Sequence, residues 1–130
     1  MRSLSPICLF AVAASIAALP AAAADLNSEI ANAATHAGLA TQASDIAGVH
    51  THLHHTINCL VGPDGTGFDA KETNPCANSG SGAIPDAANA STKQTLQAAL
   101  EKANSGLEST DFAVARKDAS AAAALLKGVK

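Results

Sequence analysis

The chain has 130 residues, and its eight Lys and Arg against eleven Asp and Glu give a formal net charge of −3, so it offers no basic surface to follow phosphates, and nucleic acid is excluded as a partner. Trp and Tyr are absent and Phe occurs only three times, which removes the aromatic platforms on which bases and sugars stack. The 48% of hydrophobic residues are mostly Ala, Leu, Ile and Val, enough for one compact helical domain.

At the N-terminus, Arg2 precedes an apolar run from Ile7 to Leu19 that ends at Pro20. The run is shorter than the roughly 20 residues that a membrane-spanning helix needs. With Ala22-Ala23-Ala24 after it, the segment reads as a Sec-type signal peptide over residues 1–24, cleaved after Ala24. A periplasmic protein without a membrane anchor is expected. Cleavage removes Cys8 and leaves Cys59 and Cys76, a pair that an oxidising compartment joins. Closing that loop stabilises by about 3 kcal/mol in the chain-entropy account.

The remaining residues, 25–130, read as one domain. Asp25 to Ser28 carry N-capping side chains, and Ile30, Ala33, Ala34, Ala37 and Ala40 recur at helical spacing, which predicts a first helix to about Thr41. Ser44-Asp45 caps a second helix, whose stripe of Ile46, Val49, Leu53, Ile57 and Leu60 runs to Val61 before Gly62-Pro63 stops it. Most of the glycines and prolines of this part of the chain then gather in a loop over 62–85. A third helix is expected from Pro85-Asp86 to about Glu108, with Leu96, Ala99, Leu100, Ala103 and Leu107 on one side. Ser109-Thr110-Asp111 caps a fourth, whose stripe is Phe112, Ala115, Ala119, Ala122, Ala123 and Leu126, ending at Gly128.

Residues 25–61 and 86–130 also correspond at a fixed offset. Ser44-Asp45-Ile46 lies over Thr110-Asp111-Phe112, Val49 over Ala115, Leu53 over Ala119, Leu60 over Leu126 and Gly62 over Gly128. Caps, stripe and terminator coincide, so two similar helical hairpins are expected. Hairpins with one apolar face each bury those faces against one another, which predicts an all-α, up-down four-helix bundle joined by a disulfide-closed loop.

All five histidines belong to the first hairpin: His36, and the run His50-Thr51-His52-Leu53-His54-His55. Arg116, Asp118, Ser120 and Ala121 occupy the matching places of the second hairpin, so the scaffold itself does not require imidazole there. At about 100° per residue, His50 falls beside Ile46, Leu53 and Ile57 on the stripe and His54 at its edge, one turn apart, a spacing that lets two imidazoles converge on one ion. His36 comes level with His50 to His52 when the hairpin folds back. This ranks His50 and His54 as first ligands, His36 as a cross-helix ligand, and His52 or His55 as auxiliary. His52 and His55 point away from the stripe, on the side of Cys59 and the loop, where Asp64, Asp69, Glu72 and Asp86 offer carboxylates.

Imidazole serves copper, nickel and zinc alike, and a disulfide removes the thiolates that would favour Cu(I). Noncovalent haem between His36 and His50 or His54 is a lesser alternative; covalent attachment is excluded because Cys-x-x-Cys-His is absent. No nucleophile with a positioned base, no paired helix carboxylates and no phosphate loop can be assembled, so no enzymatic activity is expected. The rival from another class is a structural or partner-binding bundle that presents the disulfide loop.

The leader, the Ala-rich hairpins and motifs such as Thr35-His36-Ala37 resemble those of the periplasmic four-helix bundles called small metal-binding proteins. The resemblance implies reversible binding of copper, nickel or zinc by His36, His50, His52, His54 and His55. That family spreads its histidines over all helices and lacks a disulfide. This chain concentrates them and adds Asn58-Cys59-Leu60-Val61-Gly62-Pro63 to Asn74-Pro75-Cys76, which favours a single defined site.

Overall fold

A computed structural model describes residues 24–130. The predicted leader up to residue 23, Cys8 included, lies outside the described residues. Among the described residues all regular structure is helical: α1 is Leu26–Gln42, α2 Ile46–Val61, α3 Ala83–Asp86, α4 Ala90–Glu108 and α5 Phe112–Lys127. No helix among them is long and apolar enough to cross a membrane.

The caps explain where the helices start. Asp25 accepts from Ser28 N, Asp45 from Gly48 N and Asp111 from Val114 N, each satisfying a backbone donor that has no partner within its helix. One boundary differs from the sequence expectation. Pro85 and Asp86 do not open the third long helix; they lie in the single turn α3, and the chain breaks before Asn89 caps α4 through Ser91 N and Thr92 N. Asn89 is the stronger terminus because its carboxamide oxygen reaches two free N–H groups, whereas no side chain caps α3.

α1 packs on α2, and α4 on α5, as two hairpins; α1 also packs on α5 and α2 on α4. The core between them is Val49, Leu53, Ile57, Leu60, Leu96 and Leu126, fully buried and interleaved with Ala33, Ala37, Ala40, Ala99, Ala103, Ala115, Ala119 and Ala122. The alanines let the helices approach closely, and the larger side chains supply most of the hydrophobic term, about 1.5–3 kcal/mol for each Leu or Ile taken out of water. Ile46, Leu100, Leu107 and Phe112, expected on the stripes, pack on the edge of this core and are only partly buried. Arg116 ties the hairpins together at one end, its Nε donating to Thr41 O at 2.7 Å.

The long connection between the hairpins is a series of turns fixed to α2. Cys59 and Cys76 are joined, as expected. Asn58, fully buried, donates from Nδ2 to the carbonyls of Asp69 (3.0 Å), Thr73 (3.2 Å) and Glu72 (3.4 Å), and its Oδ1 accepts from Asp69 N at 2.9 Å. Both ends of the connection meet at Gly62, which has φ 70° and whose Cβ position is filled by the Ser81 carbonyl, so only glycine fits there. Glu29 of α1, buried and not singled out in the sequence, accepts from Gly82 N through Oε1 at 2.9 Å. Its carboxyl titrates above the usual range because burial penalises the charged form and Asp86 lies close, while the Gly82 bond opposes the shift.

Candidate metal centre

α1 and α2 pack along the side of α2 that carries His52, Thr56 and Cys59. Thr56 Oγ1 reaches Ala33 O of α1 at 3.4 Å, and Cys76 Sγ, on the loop, lies 3.7 Å from Glu29 O. His36 of α1 therefore meets His52 and His55, three residues apart and on one side of α2. His36 Nδ1 lies 3.3 Å from His52 Nδ1 and 3.3 Å from His55 Nδ1. The ring centroids are 4.9 to 5.7 Å apart, and His55 stands edge-on to both of the others. Among the described residues, these three form the group of His, Cys, Asp and Glu side chains whose ligand atoms all lie within 4.8 Å of one another.

The spacing has a direct chemical meaning. A ring nitrogen carries either one hydrogen or one lone pair, so His36 Nδ1 can complete one of its two 3.3 Å contacts as a hydrogen bond but not both. An ion about 2.0–2.1 Å from each nitrogen, in tetrahedral geometry, sets neighbouring nitrogens about 3.3 Å apart and uses every lone pair. The rings are also prepared as ligands. Burial, reinforced by His55 and His52, holds His36 below the ordinary histidine range. Burial and then His52 lower His55, against the opposing effect of the Glu72 carboxylate. Neutral imidazoles are what a metal binds.

The remaining two histidines are placed elsewhere. His50 Nε2 donates to Ser109 O at 3.0 Å, closing the C-terminus of α4. His54 Nδ1 faces Asp69 Oδ2 at 3.7 Å. The structure thus brings the pair ranked auxiliary, His52 and His55, beside His36, and not the pair ranked first, His50 and His54. Both pairs are geometrically sound on an isolated helix. What separates them is the side of α2 on which α1 lies, and that side is the loop-facing one. The carboxylates also sort themselves, with Glu72 Oε2 3.7 Å from His55 Nε2, Asp69 beside His54, and Asp86 accepting from Ser81 N at 2.7 Å.

The chain matches no protein-family model, no curated protein and no solved structure. The chemistry of the cluster therefore rests on its own geometry.

Proposed function

We propose that the protein binds one transition-metal ion through Nδ1 of His36, His52 and His55. The observation that carries this reading is the pair of 3.3 Å Nδ1 contacts converging on His36, a spacing that suits a shared ion and cannot be satisfied by hydrogen bonds alone. Copper, nickel and zinc fit an all-imidazole set, and the disulfide withholds the sulfur ligands that would favour Cu(I). The role is binding, not catalysis. The protein works in the periplasm after removal of the leader, and the helical pairings support an up-down four-helix bundle as the scaffold.

Metal analysis and titration of the untagged protein test this. About one equivalent of ion is expected, retained by His50→Ala and lost by His36→Ala, in keeping with a three-ligand site. Equal losses in both variants, or an ion-free protein indifferent to added metal, would contradict it. A second reading, partner binding at the loop, has one observation in its favour: a cleft of 530 Å³ beside the loop, lined by Val61, Thr66, Ile84, Lys93 and Leu100 among others. Capture of a partner that is unaffected by His36→Ala but lost on Ile84→Asp would favour that reading.

A further inference from the structure

Residues 69–76 lie along the last two turns of α2, held at one end by the four hydrogen bonds of Asn58 and at the other by the Cys59–Cys76 disulfide. These ties set two carboxylates against two successive histidines: Asp69 against His54, and Glu72 against His55, each at 3.7 Å. The two pairs are not equivalent. His54 stands outside the cluster, whereas His55 presents Nδ1 to His36 and Nε2 to Glu72.

A neutral imidazole has one N–H, and an ionised carboxylate only accepts. Glu72 therefore favours the form of His55 with hydrogen on Nε2, which leaves the Nδ1 lone pair directed at the cluster. Metal-bound histidines are commonly oriented in this way by an acceptor on the distal nitrogen. We infer that Glu72 is the outer carboxylate of the tri-histidine centre, a positioning residue that selects the Nδ1-ligating form of His55, and that Asn58 and the disulfide keep it there. This rests on the metal-binding reading and assigns the disulfide loop to the same site: it is the outer layer of the centre.

The test uses the protein with its disulfide intact and Zn(II) alone as the probe, measured by competition with a chromophoric chelator. Glu72→Ala, which leaves no acceptor beside His55 Nε2, is expected to weaken binding by about 10–100-fold. Asp69→Asn removes the same charge from the same loop but faces His54, and is expected to change affinity by no more than about twofold, as for a partly exposed charge outside the ligand set. Nitrogen NMR of the metal-free protein gives a second readout: His55 carries hydrogen on Nε2 in the native chain and shifts toward the Nδ1–H form in Glu72→Ala. Glu72 is partly exposed, so an unchanged unfolding midpoint checks that the fold survives. Equal losses in the two variants, an unchanged Glu72→Ala constant, or a native His55 with hydrogen on Nδ1 would each overturn the inference while leaving the metal site standing. A native chain that binds no zinc overturns the inference, and one that takes up neither copper nor nickel either overturns the metal-binding reading with it.

Discussion

Asn58 fastens the loop to α2 through its side chain. Asn58→Ala removes two hydrogen bonds of 3.0 Å or shorter and two longer ones, all from a side chain with no exposure. Each bond contributes about 0.5–1.5 kcal/mol net, and an orphaned buried donor such as Asp69 N–H costs about 1–3 kcal/mol. Because water reaches part of the loop and replaces some of these partners, the expected loss is about 3 kcal/mol. That is a large share of the roughly 5–15 kcal/mol by which a domain of this size is stable. At an m-value of about 2 kcal/mol/M, the urea midpoint falls by about 1.5 M. Far-UV circular dichroism is the assay, since the chain has no Trp or Tyr. Asn58→Asp gives a sharper contrast. It keeps the acceptor for Asp69 N but turns a donor into an oxygen facing three carbonyls, so it is expected to destabilise at least as much as Ala. A midpoint shift below about 0.5 M for Asn58→Ala, or a milder effect of Asp, would refute this account of how the loop is held.

Replacing Cys59 and Cys76 together by Ser is expected to cost about 3 kcal/mol, because the closed segment has a sequence separation of 17; denaturant midpoints measure it. Glu29→Gln keeps the acceptor for Gly82 N and removes a buried charge. The folded carboxyl titrates above its unfolded value, so the native chain loses stability as pH rises through about 4.5 toward the folded value, and the variant is spared that loss. Thermal melts near pH 7 are expected to show the variant at least as stable as the native chain, and melts below about pH 4 to favour the native chain by comparison. For His36 and His55 the sign is opposite. Their folded pKa values lie below the unfolded value of about 6.5, so the metal-free chain keeps its full stability above that pH and loses it as pH falls through 6.5 toward the folded values. His36→Ala is expected to make that decline shallower in melts between about pH 7.5 and pH 5.

Periodicity and capping chemistry made the helices readable from sequence alone. Asp45 and Asp111 cap where the sequence places them, and Val49, Leu53, Ile57 and Leu60 form the buried stripe of α2 because a helix has 3.6 residues per turn whatever it packs against. The break at Ala87 to Asn89 was hidden by Pro85, which suits a helix start in isolation but here belongs to a single turn. Glu29 escaped notice because its burial depends on Gly82, more than fifty residues away, and no local pattern marks it. The site was half legible. That His36 would meet the cluster, and that His52 and His55 share the side of Cys59, follow from the hairpin and the helical angle. Which pair meets His36 depends on the side from which α1 flanks α2, a tertiary fact that a single amphipathic stripe does not encode. The surroundings of His50 were hidden for the same reason: its partner is a backbone carbonyl at the α4 terminus, contributed by the other hairpin.

The most direct test is anomalous diffraction from crystals of the protein loaded with zinc or copper. A single peak about 2.0–2.1 Å from Nδ1 of His36, His52 and His55 is the expected result. A peak bound instead by His50 and His54, or no ordered ion at the cluster, would contradict the account.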